Sequence, residues 1–523
     1  MIVKAWKGGL PVEKTKGSDD TCCLTLPLKL EKWQEDRLAR RLELARQIYN
    51  TLMHAELKKL RNVQQSPEYR RMQAEMRALD WKKEADKPPL RKLYKERDKL
   101  LKKAGFTKFG FKNDMKYYYK HFNQNIGSSV AVHGIASQVW TAFDKMLFQK
   151  DGKKVHFKKY GDLHSVQGYS AAKSGGVEIM FRGTCIEWKG LELPLKRKPD
   201  NAYETEMLQK HIKFVRILRK PGKNRDRWYA QLTLAGKPAV KRDAVSGRQI
   251  HPLGHGPVGL DIGPQTLAYA AETEADLVEL ADLVQDIELE KRRIQRKMDR
   301  SRRAANPDNY AEDGTIKRGV KLTHNKSRRY LRLQKKLSHL QHCQAETRKR
   351  QHNELANHLL TLGDCFYIEK MNWTSLTHRA KKTEISEKTG KIKRKKRFGK
   401  SIANKAPGML IEILKRKCLS RGLPKVAELP TTLKASQYNH LTKEYTKKSL
   451  SQRWNTMPDG KRIQRDLYSA FLLQHYNPQL QNFDQEALEK EYPQFVLLHD
   501  QAIERLSAIP KMPSSMGIRR SVS

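Results

Sequence analysis

Two short apolar, β-branched runs each carry one carboxylate where a buried strand would lie. They are Val258-Gly259-Leu260-Asp261-Ile262-Gly263 and Cys365-Phe366-Tyr367-Ile368-Glu369. A carboxylate on such a strand is costly unless something pairs with it. A third acid, Asp466, stands just before Leu467, Ala470 and Phe471, which recur at helical spacing. Three carboxylates converging on Mg2+ would remove the burial cost and build a two-metal phosphodiesterase centre. Each acid alone has an ordinary reading. Asp261 would cap a strand end, Glu369 would pair with Lys370, and Asp466 would cap its helix. The joint pattern is stronger than its parts.

Charge points to the partner. The chain of 523 residues has 105 Lys and Arg against 57 Asp and Glu, a net charge of +48. The surplus is spread along the chain, so a polyanion is the expected ligand and salt should weaken the complex steeply. General RNA binding is the plain reading of charge alone. The length suggests roughly three domains. The hydrophobic content of 38% suffices for separate cores, with some segments ordering only on binding. No stretch approaches the roughly 20 apolar residues of a membrane span, and Met1–Lys7 has no signal-peptide character. Six cysteines without matched spacings suggest reduced thiols, with Cys22 and Cys23 on a half-buried strand, and a cytoplasmic protein of a prokaryotic cytosol or nucleoid.

The texture changes along the chain. Residues 1–29 read as extended around a polar loop at Val12–Asp20. Residues 30–150 read as helical and basic, with apolar positions Leu38, Leu42, Ala45, Ile48 and Leu52, a break at Pro88-Pro89, and an amphipathic helix over Val130–Leu147. Residues 151–250 return to short strands: Val155–Phe157, Val177–Phe181, Cys185–Trp188, Phe214–Leu218 and Trp228–Leu234. Residues 1–29 and 151–240 therefore read as one β-barrel-like module with the helical domain inserted. Residues 251–284 form a strand pair turning at Gly263-Pro264, and 285–360 a basic helical hairpin with a seam at Tyr330, Leu333, Leu337 and Leu340. Residues 361–430 contain the Glu369 strand and a basic loop at Lys391–Arg397. Residues 431–464 precede the Asp466 helix at 465–477, and 478–523 read as a C-terminal tail.

The order of strand pair, basic helical insertion, second acidic strand, basic loop and acidic helix resembles the split RuvC nuclease of the TnpB-like family. These are RNA-guided nucleases of insertion sequences, to which compact type V CRISPR effectors are related. The resemblance runs over nearly the whole chain and is densest from Lys213 to Leu473. It is carried by Trp228–Leu232, Val258–Gly263, Arg296-Lys297-Met298-Asp299-Arg300-Ser301-Arg302-Arg303 and Ile368-Glu369-Lys370-Met371-Asn372-Trp373. It implies a multidomain α/β chain: a split RuvC (RNase H-like) nuclease plus a β-barrel wedge module with an inserted helical recognition domain. It places two Mg2+ ions on Asp261, Glu369 and Asp466, with Asp261 bridging them. A guide RNA would select target DNA beside a short protein-read motif, with one chain per RNA. Candidate nucleic-acid contacts are Tyr117, Tyr118, Lys120 and Phe122, then Arg292, Arg293, Arg296, Arg302 and Arg303, and finally Arg453 and Arg465.

Two departures stand out. Many relatives carry two Cys-x-x-Cys pairs, a zinc ribbon, before the last acid. Here Ala435–His440 and Leu450–Trp454 contain no cysteine, and His440 alone cannot make a four-ligand zinc site. No zinc is expected; packing of Tyr438 and Trp454 would substitute. Ser469 stands where the family usually has Asn. Two rival readings are an RNA-guided DNA binder that represses transcription, and a protein-only DNA nuclease or strand transferase.

Overall fold

The computed structural model describes residues 20–121, 126–149, 152, 154–169, 178–379, 383–385, 390, 392, 398–449, 451–510 and 512–518. Residues 1–19, Phe122, Val177, Leu450 and most of Lys391–Arg397 lie outside the described residues. The chain divides into two compact units, Met1–Ala239 and Val240–Ser523.

In the first unit, strand β1 (Thr21–Pro27) buries every second residue, so Cys22 is buried and Cys23 exposed. Helix α1 (Lys32–Gln65) buries Leu38, Leu42, Ala45, Ile48 and Leu52, the stripe that a 3.6-residue period dictates. Ser66 ends α1 and starts α2 (Pro67–Ala78): its amide bonds Val63, and its hydroxyl accepts from the Tyr69 amide. Pro88 and Pro89 open α3 (Lys87–Lys103), where missing N–H groups cost nothing. Helix α4 (Lys108–Tyr118) follows. The apolar run from Val130 is not one regular helix. A π-helical turn, Ser129–Ile135, precedes α5 (Ala136–Phe148). At that turn Gly134 presses on the Gln167 carbonyl of β2 (Ser165–Tyr169), where a Cβ would collide.

Strands β3 (Ile179–Phe181), β4 (Cys185–Trp188) and β5 (Leu191–Pro194) form one antiparallel sheet. After a short helix α6 (Ala202–Leu208), β6 (Ile212–Lys220) and β7 (Arg227–Ala235) join a second sheet in the order β1-β7-β6-β2. Thr21 thus pairs with Ala235 and Leu26 with Ala230. Among the described residues these are two sheets linked by a Leu28–Leu195 bridge, not one closed barrel. Val155–Phe157 is not a strand. The following residue, Lys158, is held by both backbone groups to the Asn50 side chain of α1, at 2.9 Å each. Helices and sheets share one core in which Leu38, Ile48, Phe111 and Phe143 join Val166, Trp188, Val215 and Leu232. Sequence patterning separated a helical domain from a β-module; packing merges them.

The second unit is a three-layer sandwich. Its sheet contains β8 (Pro257–Ile262), β9 (Thr266–Ala270), β10 (Ala275–Glu279), β11 (Cys365–Glu369) and β12 (Ala427–Leu429) in the order β10-β9-β8-β11-β12. β9 pairs antiparallel with both β8 and β10, and β11 pairs parallel with both β8 and β12. Parallel pairing requires long crossovers. The first contains helices α7 (Glu288–Ala304) and α8 (Arg328–Leu362). The second contains α9 (Trp373–Thr377), α10 (Gly399–Lys405) and α11 (Pro407–Arg421). Helices α12 (Arg465–Gln474) and α13 (Gln485–Ser507) complete the unit.

Strand alternation decides which helices cover which face. Val258, Leu260, Ile262, Phe366 and Ile368 pack with Leu359 of α8 and Leu410 and Ile413 of α11. On the other face Ala268, Ala270, Leu277 and Tyr367 pack with Leu467, Phe471 and Leu473 of α12 and Phe495 of α13. The stretch expected as a tail therefore supplies core: Leu488, Tyr492, Phe495 and Leu506 are buried. Its amphipathic period passed unread, as did β10.

Helix α12 lies directly on β8. A Cβ at Gly259 would run into the Ala470 carbonyl oxygen and the Gln474 amide nitrogen. Both are backbone atoms within a packed helix, so neither yields without moving the helix. Gly259→Ala is expected to destabilise the second unit by about 3 kcal/mol. Urea unfolding followed by tryptophan fluorescence checks this; an unchanged midpoint would show that α12 can lift from the strand freely.

Candidate active site

Period-two alternation puts Asp261 on the face of Gly259 and Glu369 on the face of Tyr367, which is the α12 face. Each sits at or next to the C-terminal end of its parallel strand, Asp261 one residue before the end of β8 and Glu369 at the end of β11. Open α/β sheets bind ligands beyond the carboxyl ends of their strands. Asp466 enters from the first turn of α12, the helix seated on β8.

Asp261 carries the electrostatic strain. Burial raises the Asp261 carboxyl well above the usual carboxylate range; the charges of Asp466 and then Glu369 raise it further. Arg465 and a hydrogen bond from Ser469 oppose that rise. Burial also raises Glu369, and the Ala435 amide, donating to its Oε1 at 3.1 Å, draws it back. Asp466 does not cap its helix. Gln464 does so, accepting from the Asp466 and Leu467 amides at 2.6 and 2.9 Å. Relieved of that task, the Asp466 carboxylate takes Arg465 at 3.0 Å and Arg453 at 3.4 Å.

An all-oxygen carboxylate set suits a hard divalent cation such as Mg2+. The elevation of Asp261 by its two acidic neighbours marks a place short of positive charge, and the donor set fits the ion chemically. Among the described residues, no three His, Cys, Asp or Glu side chains close into a ready metal cage. Two guanidinium groups instead neutralise Asp466.

The remaining candidates are dispersed. Arg465 is buried, with Nη1 donating to the Gln452 carbonyl at 3.0 Å. Arg302 and Arg303 are paired with Asp299, and Arg303 also donates to the Gly314 carbonyl at 2.8 Å, closing the loop after α7. Acidic partners do exist on this hairpin: Glu288 holds Lys291 and Glu290 holds Lys336. Arg292, Arg293 and Arg296 are exposed on α7. Tyr117 is exposed, edge-on to Tyr118 at 5.3 Å, whereas Tyr118 packs partly against the core. Lys120 is exposed.

Where the zinc ribbon would lie, His440 is fully buried, its Nδ1 2.6 Å from the Tyr468 hydroxyl. Tyr438 stacks on Phe483 at 5.3 Å, and the Trp454 indole donates to the Gly517 carbonyl at 2.8 Å. The two aromatics expected to substitute for zinc thus have separate partners. The Gln464 cap, the Ala435 amide and the second arginine on Asp466 were not anticipated. Only Arg465, adjacent in sequence, gave any sign.

No protein-family model and no curated protein matches the chain. Among solved structures, it is similar to a chain of a cryo-EM structure of a Cas12f1-sgRNA-target DNA complex. Identity is 10%, the match covers 88% of this chain and 99% of that chain, and the TM-score is 0.38. It is also similar to a chain of a CRISPR-Cas12f ternary complex, at 11% identity, 85% and 82% coverage and a TM-score of 0.25. Likeness at these scores fixes neither fold nor activity. Among the described residues no helix is long and apolar enough to cross a membrane.

Burial lowers the His440 pKa to about 4, below its ordinary unfolded value of about 6.5. The unfolded chain therefore binds a proton at a higher pH than the folded one does. The neutral ring's contribution is present above about pH 6.5 and is lost as pH falls toward 4, by up to roughly 3 kcal/mol. His440→Gln is expected to flatten that part of the stability–pH curve; urea midpoints between those pH values provide the check.

Proposed function

We propose that this chain is an RNA-guided, Mg2+-dependent DNA endonuclease with a split RuvC (RNase H-like) centre. The observation that supports the proposal most is that Asp261 and Glu369 stand near the C-terminal ends of adjacent parallel strands, that Asp466 lies in the first turn of the helix on β8, and that Asp466 and Glu369 both raise the Asp261 carboxyl. A buried carboxyl raised further by two neighbouring acids serves no packing purpose. Such acids suit a reaction in which cations and a phosphodiester supply the missing partners. Nucleic acid as substrate is supported by the net charge of +48 and the exposed arginines of α7. RNA guidance is supported by the motif resemblance around Val258–Gly263 and Ile368–Trp373.

In this reading Asp261, on the central strand, together with Glu369 and Asp466 would hold two Mg2+ ions. When bound, Mg2+ supplies an activated water and charge stabilisation for the leaving 3′ oxygen. The protein contributes position and charge. Gly259 lets α12 lie flat, so Asp466 is presented beside Asp261. The Gln464 cap frees the Asp466 carboxylate for the site. The Ala435 amide orients Glu369. Arg453 and Arg465 balance Asp466 and stand beside any phosphate bound there.

Asp261→Asn and Glu369→Gln are each expected to abolish DNA cleavage while leaving nucleic-acid affinity within about threefold, a difference below 1 kcal/mol. Gel assays with and without chelator, beside equilibrium binding, test this. Cleavage that survives both substitutions ends the assignment. Sequencing the RNA that co-purifies with the chain, expressed with its flanking DNA, tests guidance. A discrete structured RNA with a variable segment is expected; degraded host RNA alone would favour a protein-only nuclease.

A further inference from the structure

One cavity of this basic chain is lined by acids and by no lysine or arginine. It has a volume of about 630 Å3 and lies wholly within the second unit. Pro257 at the start of β8, Cys365 at the start of β11, Gln474 at the end of α12, and Ala487 of α13 border it. This is the end of the sheet opposite Asp261 and Glu369. Four carboxylates line the cavity: Glu272, Asp364, Asp484 and Glu491. Among the described residues no lysine or arginine pairs with any of the four. Their basic neighbours are imidazoles: His255 Nδ1 stands 3.1 Å from Asp364, and His475 Nε2 stands 3.0 Å from Glu491. With 105 Lys and Arg in the chain, their absence here is a property of the site.

Two further observations define what fits. Gln474 lines the cavity and is 4% exposed, and its side-chain amide bonds to no described residue. A buried amide without a partner is costly until something in the cavity bonds to it. Tyr367 and Tyr476 form part of the wall, their ring centroids 5.6 Å apart and their planes tilted by 57°. Aromatic faces attract ammonium groups. Helix α12 ends at Gln474, and the carbonyls of its last turn also favour positive charge. The opposing positive end of α13 is already occupied, since Asp484 accepts the Ala487 amide at 3.1 Å.

A metal ion does not match this lining. The carboxylates are spread around the cavity, and among the described residues no three His, Cys, Asp or Glu groups converge on one ion. The volume is that of a small-molecule pocket. Pro257, Ala487 and the two tyrosines form walls that a hydrated ion leaves unused. Separated positive charges joined by an apolar stem match both the acids and the walls. We propose that this cavity binds a small aliphatic polyamine, with its ammonium groups on the carboxylates, its methylene stem along the tyrosines and one nitrogen donating to the Gln474 side chain. The ligand touches α12, α13 and the starts of two parallel strands, so it fastens the helix that presents Asp466 from that helix's far end. The site uses no residue of the proposed cleavage centre and stands independently of that reading.

The test is spermidine binding by the full chain, freed of nucleic acid in high salt and then titrated calorimetrically at about 50 mM salt. One site per chain is expected, with the thermal midpoint raised by about 3 °C at a roughly tenfold excess over Kd. Glu272→Gln with Glu491→Gln is expected to weaken binding at least about tenfold, and Gln474→Leu about fivefold. Glu272 is exposed and unpaired among the described residues. Glu272→Gln alone therefore keeps the fold and is expected to weaken binding about threefold. Asp261→Asn is expected to leave spermidine binding unchanged, which separates this cavity from the other acids. Affinity that the double variant and Gln474→Leu both retain, or that Asp261→Asn abolishes, overturns the site. A wild-type chain that binds no spermidine overturns it as well. Mg2+ that binds the wild type but not the double variant, and displaces spermidine at equal concentration, assigns the cavity to a metal ion and overturns the polyamine.

Discussion

The contact between α12 and β8 at Gly259 is the constraint on which the second unit depends. Backbone lies against backbone there, because any side chain would meet the Ala470 carbonyl. That close approach sets the depth at which Asp466 enters and so fixes its separation from Asp261. It also seats Leu467, Phe471 and Leu473 over Ala268 and Ala270, small residues that leave the helix room. Core and candidate centre thus share one geometric requirement.

The electrostatics of the carboxylates follow from that seat. Elevated carboxyls near the ends of parallel strands store unfavourable free energy, and arginines on Asp466 offset part of it. The arrangement offsets part of the cost of placing these acids close together. Gln464 shows how local chemistry serves that arrangement. By capping α12 it keeps an acidic first-turn residue from being consumed by the helix's own amides.

Much of this was legible in the sequence because periodicity is a local property. The alternation around Asp261 and Glu369 marked two strands of one sheet, and the spacing after Asp466 marked a helix. The expectation that the three acids converge rests on the cost of burying each alone. What escaped detection depended on distant partners. The strand at Ala275–Glu279 is short, and its alternation is broken by burial of the successive residues Ala275, Asp276 and Leu277. The helix at Gln485–Ser507 contains Pro493 and a high share of charge, so its apolar stripe was hidden until Phe471 and the sheet gave it something to cover. The π-helical turn before α5 lies where Gly134 presses on β2, a contact no local pattern announces. Arg302, Arg303 and Arg465 looked available for phosphate, but composition cannot say which acids and carbonyls the fold brings to them.

The first unit has a consequence for how the chain is made. Strand β1 leaves the ribosome early, yet its hydrogen-bonding partner β7 lies about two hundred residues downstream, with Cys23 opposite Thr233. At roughly 5–20 residues per second, synthesis leaves β1 without its partner for about 10–40 s. Helices α1 to α5 emerge during that interval and fold around local contacts, while an edge with alternating apolar residues stays open. At this sheet β1 is synthesised well before β7, the strand it pairs with. The basic helices are therefore complete, and open to solvent, before the unit's core closes.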